Sequence, residues 1–203
     1  MTSILKVDEL QDTSGNLIIK EDSNTITIGA SGDTTNIVGT LQNNGSALIS
    51  GITMADQWRV TANVTLTDPA ADVTSNWERN DNSGYGSIGT GMTESSGIFS
   101  FPSTGIYLIE AHGSFQQNSG ASNNNALFIY STIDNSSYTA QTGNLSSGEA
   151  TNDHNAASST FLFDVTNTSN CKVKFQQYGS NGILRGSSSQ NRTHVTFIRL
   201  GDT

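Results

Sequence analysis

The first fifty residues carry apolar side chains in short runs, at residues 4–7, 17–19, 25–28, 36–38 and 47–49. Turn formers separate them: Thr13-Ser14-Gly15-Asn16, Ser31-Gly32-Asp33 and Asn43-Asn44-Gly45-Ser46. This spacing predicts short strands joined by tight turns. No window sustains a helical period, although residues 53–56 are expected to begin a brief helical turn.

From residue 56 the runs lengthen and alternate. In QWRVTANVTL, Trp58, Val60, Ala62, Val64 and Leu66 are apolar, while Arg59, Thr61, Asn63 and Thr65 are polar. That is the pattern of one half-buried strand. Further strands are expected at residues 97–101, 105–115, 126–131, 161–165, 172–178 and 193–200. Polar loops separate them, the longest at residues 116–125, 143–159 and 179–190. Seven or eight antiparallel strands in ~145 residues are the profile of a β-sandwich or jelly roll.

Two of these strands are apolar on both faces. In GIYLIEAHGSF, Tyr107, Ile109, Ala111 and Phe115 share one face; Ile106 and Leu108 open the other before it turns polar at Glu110 and His112. In THVTFIRL, Val195 and Phe197 oppose Ile198 and Leu200. A sandwich strand with one face in water should be polar on that face. The second faces are therefore expected to meet another subunit.

Energetics lead the N-terminal segment to the same place. Residues 1–50 contain no aromatic side chain; all eight Phe, both Trp and all five Tyr lie beyond residue 56. About ten aliphatic side chains, at ~1.5–3 kcal/mol each when fully buried, oppose a backbone entropy cost on the order of 1–2 kcal/mol per residue. One chain loses that balance. Several copies wound about one axis meet strip against strip, as in repeat architectures. A disordered linker would explain the polarity, but not the recurrent Ile, Val and Thr. Leu17, Ile19, Ile26, Ile28, Ile37 and Leu41 are the expected packing positions. The chain thus reads as all-β, with a β-rich stalk or attachment segment at 1–55 and a β-sandwich head at 56–203.

Composition narrows the function. Hydrophobic residues make up 33% and charged residues 13% of the chain, against ~45–50% and ~25% in ordinary domains. A disordered chain would be rich in charge, so this is a folded protein with a thin core. The net charge is −9, and no Lys or Arg lies between Arg79 and Lys172. That argues against nucleic acid, whose affinity comes from cations on phosphates, and gives an anionic membrane nothing to hold. No apolar stretch approaches the ~18 residues of a membrane span, so no membrane insertion is expected. The lone Cys171 precludes an intrachain disulfide and reads as a small, half-buried residue at a strand start. With no secretory leader recognisable at the start, the expectation is assembly in a cytoplasm and later release, as for a virion part.

The segment GIFSFPSTGIYLIEAHGSF, followed later by THVTFIRLGD, resembles the globular head of complement-type and tumour-necrosis-factor-like proteins. The resemblance implies a jelly roll that forms a tight homotrimer, and with it an intertwined trimeric stalk. The opening MTSILKVDELQDTSGNLIIKEDSNTITIGASGD resembles virion structural proteins of tailed phages, particularly marine ones. It implies attachment to other virion proteins, of capsid or tail, through the N-terminal region.

Candidate sites are few. The trimer interface is expected at Ile106, Leu108, His112, His194, Ile198 and Leu200. A ring of His112 and His194 there would bind a metal or sense pH; the plainer expectation is hydrogen-bonded interface histidines, with His154 a third candidate. Asp134, Glu149, Asp153, Asp81 and the 68–72 loop offer carboxylates for calcium, without an ordered ligand-loop signature. Tyr130, Tyr138 and Tyr178 lie beside polar loops and could stack on host-surface glycans, or simply border the core. SGYGSIGTGM lacks the Lys and helix of a phosphate loop and reads as a flexible loop. No convergent acid–base set points to an enzyme, and no cofactor is expected beyond calcium. The sequence therefore reads as a homotrimeric virion structural protein on the particle surface: a short fibre or spike, either a capsid-attached head fibre or decoration protein or a tail fibre, with host contact possible. The alternative is a stand-alone carbohydrate-binding module.

Overall fold

The computed structural model describes residues 9–15, 17–22, 25–29, 31–38, 41–43, 46–47 and 51–203. Among these every regular element is a β-strand. The chain divides into two units, Met1–Ser50 and Gly51–Thr203.

In the first unit β1 (Glu9–Gln11), β2 (Leu17–Asp22) and β3 (Thr25–Ile28) form an antiparallel sheet, and β4 (Gln42–Asn43) pairs with β5 (Ser46–Ala47). Ile19 stands opposite both Leu10 and Ile28, and Leu17 opposite Gln11. The β1–β2 turn closes as expected for its residues: Asp12 accepts from the Ser14 and Gly15 amides, and Gly15 takes the left-handed backbone (φ 84°) that a side chain resists. The expected strand at residues 36–38 does not form. Three residues between turns need a partner edge, and among the described residues none pairs with them; Val38 is 93% exposed. Residues 4–7 and 48–49 lie outside the described residues. Ile19, Ile26, Ile28, Ile37 and Leu41 are 41–68% exposed within the single chain.

The second unit begins with β6 (Met54–Val60), β7 (Val64–Thr65), β8 (Ala71–Asp72) and β9 (Trp77–Arg79). There follow β10 (Thr93–Ser95), β11 (Ile98–Ser100), β12 (Gly105–Gln117), β13 (Ser122–Thr132), β14 (Thr139–Thr142) and β15 (Ser146–Gly148). It ends with β16 (His154–Val165), β17 (Lys172–Tyr178), β18 (Gly182–Leu184) and β19 (His194–Gly201). One sheet runs β7-β18-β12-β19-β6-β9, with β16 along the other edge of β12. The other runs β10-β11-β17-β13-β14, with β8 on β17 and β15 on β13. All pairings are antiparallel, and the two sheets enclose one core.

Phe99 sits at the centre of that core, with the rings of Trp58, Trp77, Phe175 and Phe197 at 5.2–5.5 Å. Most contacts are edge-on, the arrangement that aromatic quadrupoles favour. Cys171 is fully buried here rather than half-buried.

Several expectations are corrected. Residues 54–56 belong to β6 and not to a helical turn. QWRVTANVTL is not one strand. It breaks after Val60, because Asn63 turns to accept from the Gly186 amide, and β7 resumes beside β18. The polar stretch 143–159 contains β15 and the first half of β16, and 179–190 contains β18. Their backbones join ladders while their side chains stay polar. Ladder bonds are made by the main chain, so a strand on a solvated face needs no apolar signal.

The Gly-rich segment 83–92 is not a free loop. Asp56, 2% exposed, accepts from Trp58 Nε1 (2.9 Å), Arg79 Nε (3.0 Å), the Tyr85 hydroxyl (2.9 Å) and the amides of Gln57 (2.9 Å) and Met92 (2.8 Å). Burial and that carboxylate push the Tyr85 hydroxyl pKa up. Gly91 lies so close to Asp56 that a Cβ would collide with its carboxylate. Ile88 is thereby bridged to Ala55 at the edge of β6.

Candidate functional site

The candidate site is the outer face of the β6–β19–β12–β16 sheet. Along β12 the odd positions point into the core: Tyr107, Ile109 and Phe115 are fully buried. The even positions face outward, so register decides which outward residues meet. Ala55 pairs with Ile198, Ile198 with Leu108, and Leu108 with Leu162. The Ala55–Ile88 bridge adds a fifth member. Ile88, Ala55, Ile198, Leu108 and Leu162 thus form one apolar row across five chain segments, roughly 19 Å wide at the usual strand spacing. Ile88 is 46% and Leu162 59% exposed. Ile106 stands one step along β12, opposite Asp164.

The next rows are polar. Gln57, Thr196, Glu110 and Thr160 form one, and Arg59, His194, His112 and Ser158 the next. Arg59 was expected on a solvated face but is fully buried beneath the residues after β9. It donates to Asn82 (2.6 Å) and to Glu78 (2.8 and 3.0 Å) and Asp81, the two carboxylates that neutralise its charge.

His112 and His194 are directly opposite, with ring centroids 5.1 Å apart. His112 Nδ1 lies 2.8 Å from Ser158 Oγ, and His194 Nδ1 3.2 Å from the Asn191 carbonyl oxygen. A cleft of about 170 Å³ opens beside them, lined also by Glu110, Ser158 and Thr160. Burial, reinforced by His112, holds His194 below the usual histidine pKa. His154 is at the far end of β16, exposed and opposite Gln116, and does not join the pair.

Of the six expected interface residues, the structure therefore brings Ile106, Leu108, His112, His194 and Ile198 to one face. Leu200 falls at the register shift opposite Ile106 and Tyr107, without a cross-strand partner, and is 47% exposed. Leu162 and Ile88 were missed. Leu162 sits in a strand whose first half looks like loop, and Ile88 among glycines; neither shows a face until its partner is known.

Tyr130, Tyr138 and Tyr178 are all half-buried on the opposite sheet, the first two sharing Lys174 and Tyr178 standing apart from them. Tyr130 pairs across to Lys174, whose ammonium stands 4.6 Å over the Tyr138 ring and 2.9 Å from Asp72. Tyr178 lies 6.0 Å from Phe128. Of the carboxylates considered for calcium, Asp72, Asp81, Asp134 and Asp153 are engaged by the protein's own donors. Asp134 accepts from Thr132 Oγ1 and the Ser136 and Ser137 amides, which hold it well below the carboxylate range, and Asp153 accepts from the Glu149 and Ala150 amides. Among the described residues no three His, Cys, Asp or Glu side chains converge as a metal set.

No protein-family model matches the chain, and no curated protein matches it in sequence. Among solved structures, murine APRIL at pH 8.5 is similar with a TM-score of 0.50 and 14% identity, over 72% of this chain and 98% of that one. The Eiger TNF of S. frugiperda gives 0.49 and 14%, over 74% and 94%. The PRD1 vertex protein P5 gives 0.42 and 18%, over 75% and 100%. At such identities the likeness is one of fold, and the first of these carries it: residues 51–203 form a jelly-roll β-sandwich.

Proposed function

We propose that this chain is a homotrimeric virion surface protein, a short non-enzymatic fibre or spike held on the particle by its N-terminal region. The observation that carries the proposal is the apolar row from Ile88 to Leu162. A sheet face turned to water has no use for Leu108, Ile198 and Leu162 in register, whereas a subunit contact does. The half-exposed Ile19, Ile26, Ile28, Ile37 and Leu41 of the first unit fit the same assembly, closing against their copies. The resemblance of the N-terminal sequence to phage virion proteins supports the location.

Mass by light scattering tests the association. The full-length protein is expected at three times its chain mass. In residues 51–203 alone, Leu108→Asp places three charges at the contact and is expected to give the single-chain mass with an unchanged far-UV spectrum. A trimer of residues 51–203 that survives Leu108→Asp refutes this face as the contact, and a monomeric full-length wild type refutes the assembly.

A further inference from the structure

We propose that His112 and His194 form a two-histidine binding site for a divalent transition-metal ion such as Zn²⁺. The pair is made within one chain, so the site stands whether or not the face is a subunit contact. Geometry comes first. With Zn–N bonds of about 2.0 Å and each ring centre ~1.1 Å beyond its nitrogen, two imidazoles on one tetrahedral ion hold their centroids ~5 Å apart. The observed separation is 5.1 Å, with the ring planes tilted by 30°. Two opposed strands hold it there, His112 on β12 and His194 on β19.

The hydrogen bonds leave the right atoms free. A carbonyl oxygen can only accept, so the Asn191 contact fixes the proton of neutral His194 on Nδ1 and its lone pair on Nε2. The Ser158 hydroxyl can accept likewise from His112 Nδ1. Neither Nε2 has a hydrogen-bond partner among the described residues. A carbonyl or hydroxyl on the far nitrogen is how metal-binding histidines are commonly oriented.

The surroundings suit a cation. The cleft of about 170 Å³ has room for water to complete the coordination, and the Glu110 carboxylate lines it. Arg59, the next residue in the row, has its charge covered by Glu78 and Asp81. With two protein ligands the remaining positions are open, so the ion is exchangeable.

The test is isothermal titration of the full-length protein with Zn²⁺ at pH 7.5, with the chain mass followed by light scattering on the same samples. One ion per chain is expected. His112→Gln and His194→Gln should each weaken binding at least tenfold, and Ser158→Ala by about tenfold through the lost orienting contact. His154→Gln should leave binding unchanged. Near-UV spectra establish that the variants are folded. In the wild type, ring-proton shifts of His112 and His194 on adding Zn²⁺ test the site without any substitution. Absence of binding, binding that persists in either folded variant, dependence on His154, or one ion per three chains would each overturn the proposal. A single-chain mass for the wild type with binding intact would refute the assembly and leave this site standing.

Discussion

Asp56→Ala probes the buried polar knot that anchors residues 77–92. The carboxylate is buried and takes hydrogen bonds from Trp58 Nε1, Arg79, Tyr85 and the amides of Gln57 and Met92. Truncation does not cost all of these equally. The Arg79 side chain is 44% exposed and can turn to water, and the Gln57 amide retains the Tyr85 hydroxyl at 3.3 Å. The Met92 amide, in a fully buried residue, and the half-buried Trp58 indole N–H lose the partner they have. An unsatisfied buried donor costs about 1–3 kcal/mol, and removing one member of a buried ion pair about 3–5 kcal/mol. Allowing for the exposed arginine, the expected loss is about 3–5 kcal/mol, or roughly 6–20 °C in Tm for a domain of this size. Urea unfolding followed by tryptophan fluorescence measures it directly, since the Trp58 indole is part of the knot. The same variant should speed proteolysis within residues 83–91. A loss under about 1 kcal/mol, or a segment as resistant as in the wild type, would show that the knot does not hold the loop.

Phe99→Ala removes the ring on which four other aromatics converge and should lower unfolding free energy by about 3–5 kcal/mol in the same urea assay. His194 carries a pH prediction. Its folded pKa lies below its unfolded value of about 6.5, so the stability it contributes is whole above that pH. As pH falls, the unfolded chain takes up the proton first, and the contribution is lost down to the folded pKa. Tm should therefore drop more between pH 7.5 and 5 in the wild type than in His194→Gln; equal drops would refute it. In residues 51–203 alone, Leu108→Asp should dissociate the trimer without unfolding the sandwich, as read by scattering mass.

Alternation was legible wherever a strand buries one face. Residues 172–178 read as a strand and are one, because Val173 and Phe175 point inward between Lys172, Lys174 and Gln176. Residues 105–115 and 193–200 likewise differ from β12 and β19 only at their ends. The doubly apolar character of those two strands also marked the outer face, since Ile106, Leu108 and Ile198 can be sorted by parity alone. Residues 154–160, HNAASST, were not legible. They are the first half of β16, and their membership rests on main-chain bonds to β12 that no side chain advertises.

What the sequence by itself determined is therefore the all-β class and the inward face of each long strand, because period two is a property of neighbours along the chain. Only the tertiary structure decided which outward residues stand together. The pairing of His112 with His194, the row from Ile88 to Leu162 and the burial of Arg59 all depend on strand register. Register is fixed by partners many residues away, and a slip of one residue would turn every side chain to the opposite face.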